Sequence, residues 1–167
     1  MKRVTPQDGF AAFKPESCIF VLSVDGKGAP SGMIAGWHMK CSFEPPLYAV
    51  ALSKEGFTHK LIQQSKEFVV AVANKKLERA VRLFGSIHGN EVDKFRKSKL
   101  KTIPARFTRT PLLADATINL ECSLAREVDA GDHYIFIGRV EAAHRSRNKK
   151  VLFNTGQKCG VIKFREL

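Results

Sequence analysis

The 167 residues are enough for one domain with its own core, since about 100 to 200 residues usually form one. A hydrophobic fraction of 44%, including 12 Phe, excludes a disordered chain. An excess of 28 Lys and Arg over 16 Asp and Glu gives a formal charge of +12, which fits a solvated basic face first, an anionic small ligand or acidic partner next, and nucleic acid last.

The opening segment MKRVTPQDGFAAFKPES has basic residues but no apolar run of signal-peptide length. Nothing later approaches the roughly 18 apolar residues of a membrane span, so a cytoplasmic protein with no membrane partner is expected. Residues 18 to 24, CIFVLSV, are β-branched and aromatic and read as a strand. DGKG (25 to 28) reads as a hairpin turn, because Asp-Gly tolerates positive φ, and it leads to a second strand over 29 to 37. LYAVALS (47 to 53) is a continuous apolar run, as in a buried strand. Pro45 and Pro46 fit its mouth, where a missing N–H is tolerated.

Thr58 is expected to cap a helix, HKLIQQS, and EFVVAVA (67 to 73) returns as a strand. Asn74 is a second expected cap, for a helix KKLERAVRLFG with Leu77, Val81 and Phe84 on one face and Gly85 at its end. HGNEVDKF reads as a loop with a helical turn, and a basic, weakly patterned stretch follows to about residue 110. From Ala116, ATINLECSLAREV and HYIFIGRVEAAH read as long strands joined by DAGD (129 to 132), and a loop NTGQK precedes a last strand, CGVIKF. Six or seven strands and two or three short helices, without βαβ alternation, predict a mainly β fold. The expected architecture is a closed or half-closed antiparallel barrel with helices packed outside.

Chemical signatures are sparse. Cys18, Cys41, Cys122 and Cys159 form no C-x-x-C pair, so reduced, buried thiols are expected rather than a metal or redox site. There is no G-x-S-x-G elbow, H-E-x-x-H, Walker lysine or G-x-G-x-x-G, and FGSIHGN is too loose for a phosphate loop. Among His38, His59, His88, His133 and His144, His133 stands out, with Asp132 before it and an aromatic strand beyond. The basic runs KFRKSKLK (94 to 101) and HRSRNKK (144 to 150) lack interleaved aromatics, so a nucleic-acid-binding module is the remote alternative.

The segments GWHMKCSFEPPLYAVAL, FTHKLIQQSKEFVVAVA, GNEVDKF, NLEC and GDHYIFIGRV, in this order and spacing, resemble the flavin reductase-like, FMN-binding split-barrel family, most closely its flavoredoxin branch. The resemblance runs from about residue 17 to the end and implies a single domain over 1–167 with a Greek-key antiparallel split barrel. It implies FMN as cofactor, with backbone groups of Ile34, Ala35 and Gly36 along the isoalloxazine and Trp37 close by. Thr58, Lys94 and His133 match the family's cofactor-contacting threonine, lysine and histidine, and Phe164 matches an aromatic that closes the pocket. Ser31 and Ala71 stand where the family often has asparagine.

The physical chemistry of FMN agrees: its phosphate suits a helix N-terminus with Thr58, Ser53 and Lys54 as hydroxyl and cationic donors. Cationic or donor groups such as Lys94 and His133 would stabilise reduced flavin. The implied activity is reduction of FMN by NAD(P)H, with His133 bonding the flavin or placing the nicotinamide. Free flavin, ferric iron or a partner protein is then the acceptor. The alternative is a flavoredoxin-type electron carrier with no NAD(P)H site of its own. A homodimer with flavin near the subunit interface is implied, and an acidic redox protein is a candidate partner for the positive charge.

Overall fold

The computed structural model describes residues 3–87, 92–147, 149–158 and 160–167. In chain order the elements are α1 (Pro6–Ala12), β1 (Glu16–Ser17), β2 (Ile19–Val24), β3 (Pro30–Ala35), β4 (His38–Phe43), β5 (Pro46–Ser53), α2 (Thr58–Ser65) and β6 (Glu67–Val72). A 3-10 turn (Lys75–Leu77) then leads to α3 (Glu78–Ser86), α4 (Lys94–Ser98), β7 (Thr102–Ile103), β8 (Leu112–Leu113), β9 (Ile118–Ala130), β10 (His133–Arg145), β11 (Leu152–Lys158) and β12 (Val161–Glu166).

Seven strands form one antiparallel sheet in the order β3-β2-β6-β9-β10-β5-β4. Its edges, β3 and β4, are joined only by Gly36 and Trp37, so they act as one strand whose first half pairs with β2 and whose second half pairs with β5. A sheet whose two edges are covalently continuous has to curl. The Trp37 carbonyl accepts the Ala51 N–H at 2.9 Å and extends the β4–β5 ladder into the corner, while β3 and β5 remain unpaired. The expected split barrel is the result. A second sheet, β1-β11-β12, is stitched beside it by hydrogen bonds linking Cys18, Ala73 and Leu152.

The run CIFVLSV is continuous because β2 is buried on both faces. Ile19 and Val21 pack with Val50, Leu52, Phe68, Val70 and Phe136 in one core cluster. Phe20 and Leu22 pack with Leu77, Val81 and Phe84 of the helical layer in the other, with Phe20 and Phe84 edge-on at 5.2 Å. The predicted apolar face of the Asn74 helix is therefore what docks α3 outside the barrel, each buried side chain contributing roughly 1.5 to 3 kcal/mol. Gly138 is required inside: a β-carbon there would lie 2.5 Å from Phe68 Cζ.

Several local expectations are corrected. Gly85 does not stop α3, which continues through Ser86. NTGQK is not a loop but most of β11, where a bulge between Asn154 and Gly156 absorbs Gly156 at φ 120°. In the first hairpin, positive φ falls on Gly28, and the Asp25 carboxylate holds the turn by accepting the Lys27 and Ala29 N–H groups. Pro45 and Pro46 lie at the reversal from β4 to β5 in a hairpin whose first strand was not anticipated. Cys18 and Cys122 are buried thiols, pushed up to about 11 and about 12 by burial, but Cys41 is exposed on the β4 edge. Cys159, His88 and the GNE of GNEVDKF lie outside the described residues.

The weakly patterned stretch before residue 110 is ordered by two carboxylates on neighbouring strands. Buried Glu121 accepts the N–H groups of Arg106, Phe107 and Thr108 and meets His144 Nε2 at 2.7 Å. Glu67 accepts those of Arg109 and Thr110. Burial by itself would raise the Glu121 carboxyl, but the backbone donors and His144 overcome it and hold the group at about 2. Because this lies below the unfolded value of about 4.3, the stabilisation is complete above that value and is lost as pH falls toward 2. Glu121→Gln, which points an amide at facing donors, should cost roughly 2 to 3 kcal/mol in denaturant unfolding. In an NMR titration the Arg106–Thr108 amide shifts should hold steady to about pH 4 and move only below it; movement centred near pH 4.5 would contradict the tether.

Candidate functional site

Where β3 leaves β5, the barrel wall opens. A cavity of about 190 Å³ lies in this split, lined by Met33–Trp37, Ala51, Ser53, His133 and Glu16. It adjoins a second of about 250 Å³ through Met33, Ile34 and Ser53; the second reaches Gly56, Phe57, Thr58, Lys94 and the end of α3. The edge of β3 is what the two share. Its backbone is free to bond a ligand there because no strand pairs with it on that side.

Lys94 is the most informative side chain in the second cavity. Only 4% exposed, it donates from Nζ to the carbonyls of Gly32 and Phe84, each at 3.0 Å. Burial pulls its ammonium below the usual lysine value, and among the described residues no carboxylate pairs with it, although Glu55 lines the same cavity. Asp93 fixes it there by capping α4, accepting the Arg96 N–H at 2.9 Å, so the GNEVDKF pattern encodes an N-cap followed by a buried cation. Among the described residues two of the three ammonium donors are used, which leaves one, with the charge itself, for a group that enters the cavity.

Thr58 is buried in the same cavity but is not a helix cap. Phe57 holds the cap position in an αR conformation, with no side-chain bond, and Thr58 is the first helical residue. Ser53 bridges both cavities, its Oγ accepting the Glu55 N–H at 3.2 Å. Lys54 points elsewhere: it pairs with Asp129 at 2.8 Å and lies 4.8 Å from the Tyr134 ring centroid, bracing the β9–β10 hairpin.

At the other end, His133 opens β10 directly opposite Ser53, and its ring lies 4.8 Å from that of Trp37. Asp132 Oδ1 is 2.7 Å from His133 Nδ1, which orients the other ring nitrogen. Trp37 donates its indole N–H to Glu16 at 3.1 Å, and Lys14 pairs with the same carboxylate. Glu16 also crowds Gly36, where a β-carbon would lie 2.9 Å from Glu16 Oε2. Phe164 lines a third cavity, of about 550 Å³, that shares Ile34, Ala35 and Gly36 with the split.

The fold thus brings Ile34, Ala35, Gly36, Trp37, Ser53, Thr58, Lys94 and His133 together along the split, with Phe164 adjacent. It does not bring in Ser31, which faces Ser23 across the β2–β3 ladder, nor Lys54. Ala71 is fully buried in the core cluster beneath α3. Glu16, Met33 and the Phe84–Ile87 segment were missed. Glu16 carries no local signal, since its role depends on β1 lying beside Gly36. His38, bonded to Tyr48 and Ser17, is drawn below the usual histidine value by burial and serves packing. Among the described residues, no cluster of His, Cys, Asp and Glu could hold a metal ion, and no helix is long and apolar enough to cross a membrane.

A buried cation and hydroxyl beside a free strand edge, continued by an aromatic-lined slot, suit a flat polar ring carrying an anionic tail. The family model described as flavin reductase like domain matches residues 15–161. The chain belongs to the flavin reductase-like family. Within it, the chain is similar to the NADH:FAD oxidoreductase of Streptomyces globisporus, with a TM-score of 0.84 and 29% identity over 99% of this chain and 96% of that one. Another structure of that protein is a complex with NAD and FAD fragments. The flavoredoxin of Desulfovibrio vulgaris (Miyazaki F) has the same fold, with a TM-score of 0.85 at 19% identity over 100% of this chain and 93% of that one. A high molecular weight rubredoxin of Moorella thermoacetica is 36% identical over 75% of this chain, which spans only 54% of it. In this flavin reductase-like chain Ile34, Ala35, Gly36, Trp37, Thr58, Lys94 and His133 converge on the split.

Proposed function

We propose that this chain is an FMN-dependent oxidoreductase that takes electrons from NAD(P)H and passes them to free flavin, ferric iron or a redox protein. The observation that carries the reading is Lys94, a buried ammonium bonded to two carbonyls and paired with no carboxylate among the described residues, in one cavity with Thr58 and Ser53. Such a group costs stability unless an anion joins it, and FMN brings both a phosphate and a ring that gains negative charge on reduction. When bound, FMN would supply the redox chemistry, taking a pair of electrons from the donor and giving them to the acceptor together or, for ferric iron, one at a time to two ions. The β3 edge binds the ring, Lys94 and Thr58 hold its polar groups, and Trp37 and His133 shape the end where a nicotinamide approaches. His133 positions rather than acts as an acid, and Asp132 fixes its ring orientation. The donor is supported by the NADH:FAD oxidoreductase likeness.

Trp37, the only tryptophan, lines the proposed flavin slot, so its emission should be quenched as FMN binds. Lys94→Met keeps the volume and removes the charge; it should weaken FMN binding by roughly 1.5 to 3 kcal/mol in that titration without loss of thermal stability. An unchanged dissociation constant would take Lys94 out of the site. Stopped-flow mixing of FMN-loaded protein with NADH or NADPH should bleach the flavin's visible absorption. Its absence would replace the reductase reading with that of a flavoredoxin-type carrier, a reading favoured by the match to part of a rubredoxin.

We also propose a homodimer joined beside this site. Trp37, Met39 and Phe43 lie on or beside the β4 edge at 51%, 63% and 87% exposure, an apolar row that a second copy would cover. Sedimentation should give twice the chain mass, and Phe43→Asp should shift it toward monomer; a wild-type monomer at micromolar concentration would refute this.

A further inference from the structure

Residues 94–114 carry seven Lys and Arg and no Asp or Glu, more than half of the net charge of +12. Lys94 is taken up in the second cavity, but the other six, Arg96, Lys97, Lys99, Lys101, Arg106 and Arg109, are exposed. Of these six, only Arg109 forms an ion pair among the described residues, a long one of 3.9 Å to Glu67. The reason is local. Glu121 and Glu67, which order this segment, are occupied by its backbone N–H groups, so the side-chain charges go unanswered. Held from beneath in this way, and by buried Leu112 and Leu113 of β8 paired with β7, the segment is a fixed ribbon with its cations outward. Successive cations are at most five residues apart, at most about 18 Å of chain, so they form one surface. Ile103 and Phe107 lie among them at 45% and 57% exposure, and the Arg106 guanidinium sits 5.4 Å from the Phe107 ring centroid. Apolar anchors inside a cationic rim suit a contact with another protein.

The ribbon's place selects the partner. It begins at Lys94 on the wall of the second cavity, where Phe95 packs 5.6 Å from Phe84 of the same wall, and Lys97 follows one helical turn along α4. Nucleic acid would answer the charge but accepts no electrons there. We propose that this ribbon docks a small acidic protein with a one-electron redox centre, whose carboxylates face Arg96–Lys101 and Arg106–Arg109. That the partner is a redox protein rests on the flavin reading; the surface does not. Each two-electron-reduced flavin would serve two partner molecules in turn, one electron to each, and its two protons would pass to solvent.

The test is to titrate the full chain, with and without FMN, against oxidised rubredoxin, a small acidic iron protein, by calorimetry at low and moderate salt. Two charge-reversed variants accompany it, Lys97→Glu/Lys101→Glu on the ribbon and Lys158→Glu/Lys163→Glu on the second sheet. All four lysines are exposed, so both variants should fold and bind FMN as the wild type does. Rubredoxin should bind, about tenfold more weakly at the higher salt, and the ribbon variant should weaken it about tenfold while the second-sheet variant stays near wild type. Reduction of rubredoxin by the reduced, FMN-loaded chain should slow in parallel. Absence of saturable binding overturns the proposal, as does equal weakening by the two variants, which would leave only net charge. Tighter binding of a single-stranded oligonucleotide to the same ribbon also overturns it. Rubredoxin binding by a chain that takes up no FMN keeps the docking surface and removes the flavin reading; FMN binding without rubredoxin binding does the reverse.

Discussion

The two residues between β3 and β4 constrain everything else. Because Gly36 and Trp37 join the opposite edges of a seven-stranded sheet, the sheet cannot stay open, and because the joined strand changes partner at that corner, it cannot close completely. The leftover gap holds an unpaired strand edge flanked by hydrophobic wall. In most proteins such an edge is a liability that must be covered. In this chain the candidate site is that same gap, so the feature that would invite aggregation is the one that leaves backbone groups open to the cavity.

The two most deeply buried charges illustrate how a structural ion differs from a functional one. Glu121 is fully buried but surrounded: three backbone N–H groups and His144 satisfy it, and its role ends with the loop it organises. Lys94 is nearly as buried, yet its partners among the described residues are two neutral carbonyls, which satisfy donors without balancing charge. A protein that only needed packing would place a methionine there at lower cost. On the proposed reading, the anion that answers this cation comes from outside.

Much of this was legible in the residues. The strand runs of β2, β5, β6, β9 and β10 announce themselves because burial on two faces, or alternation on one, writes directly into composition. The apolar face of α3 reads equally well. What failed were elements whose order comes from distant partners. β4 is a half-exposed edge strand and carries no hydrophobic pattern; β11 contains asparagine, threonine and glycine that look like a loop until β12 pairs with them. The loop before residue 110 has no pattern of its own, since its donors answer to carboxylates on β6 and β9.

The sequence by itself determined the strands β2, β3, β5, β6, β9, β10 and β12, the β2–β3 and β9–β10 hairpins, the apolar helix face and, through motif resemblance, the family. Tertiary structure alone decided which cations line a cavity. Lys54 and Lys94 look alike as letters, but Lys54 lands beside Asp129 across the hairpin and becomes a brace, while Lys94 is pressed into the core against carbonyls. Charge is a property of the residue, whereas its cost and its counter-ion are properties of the place, and the place exists only once the sheet has curled.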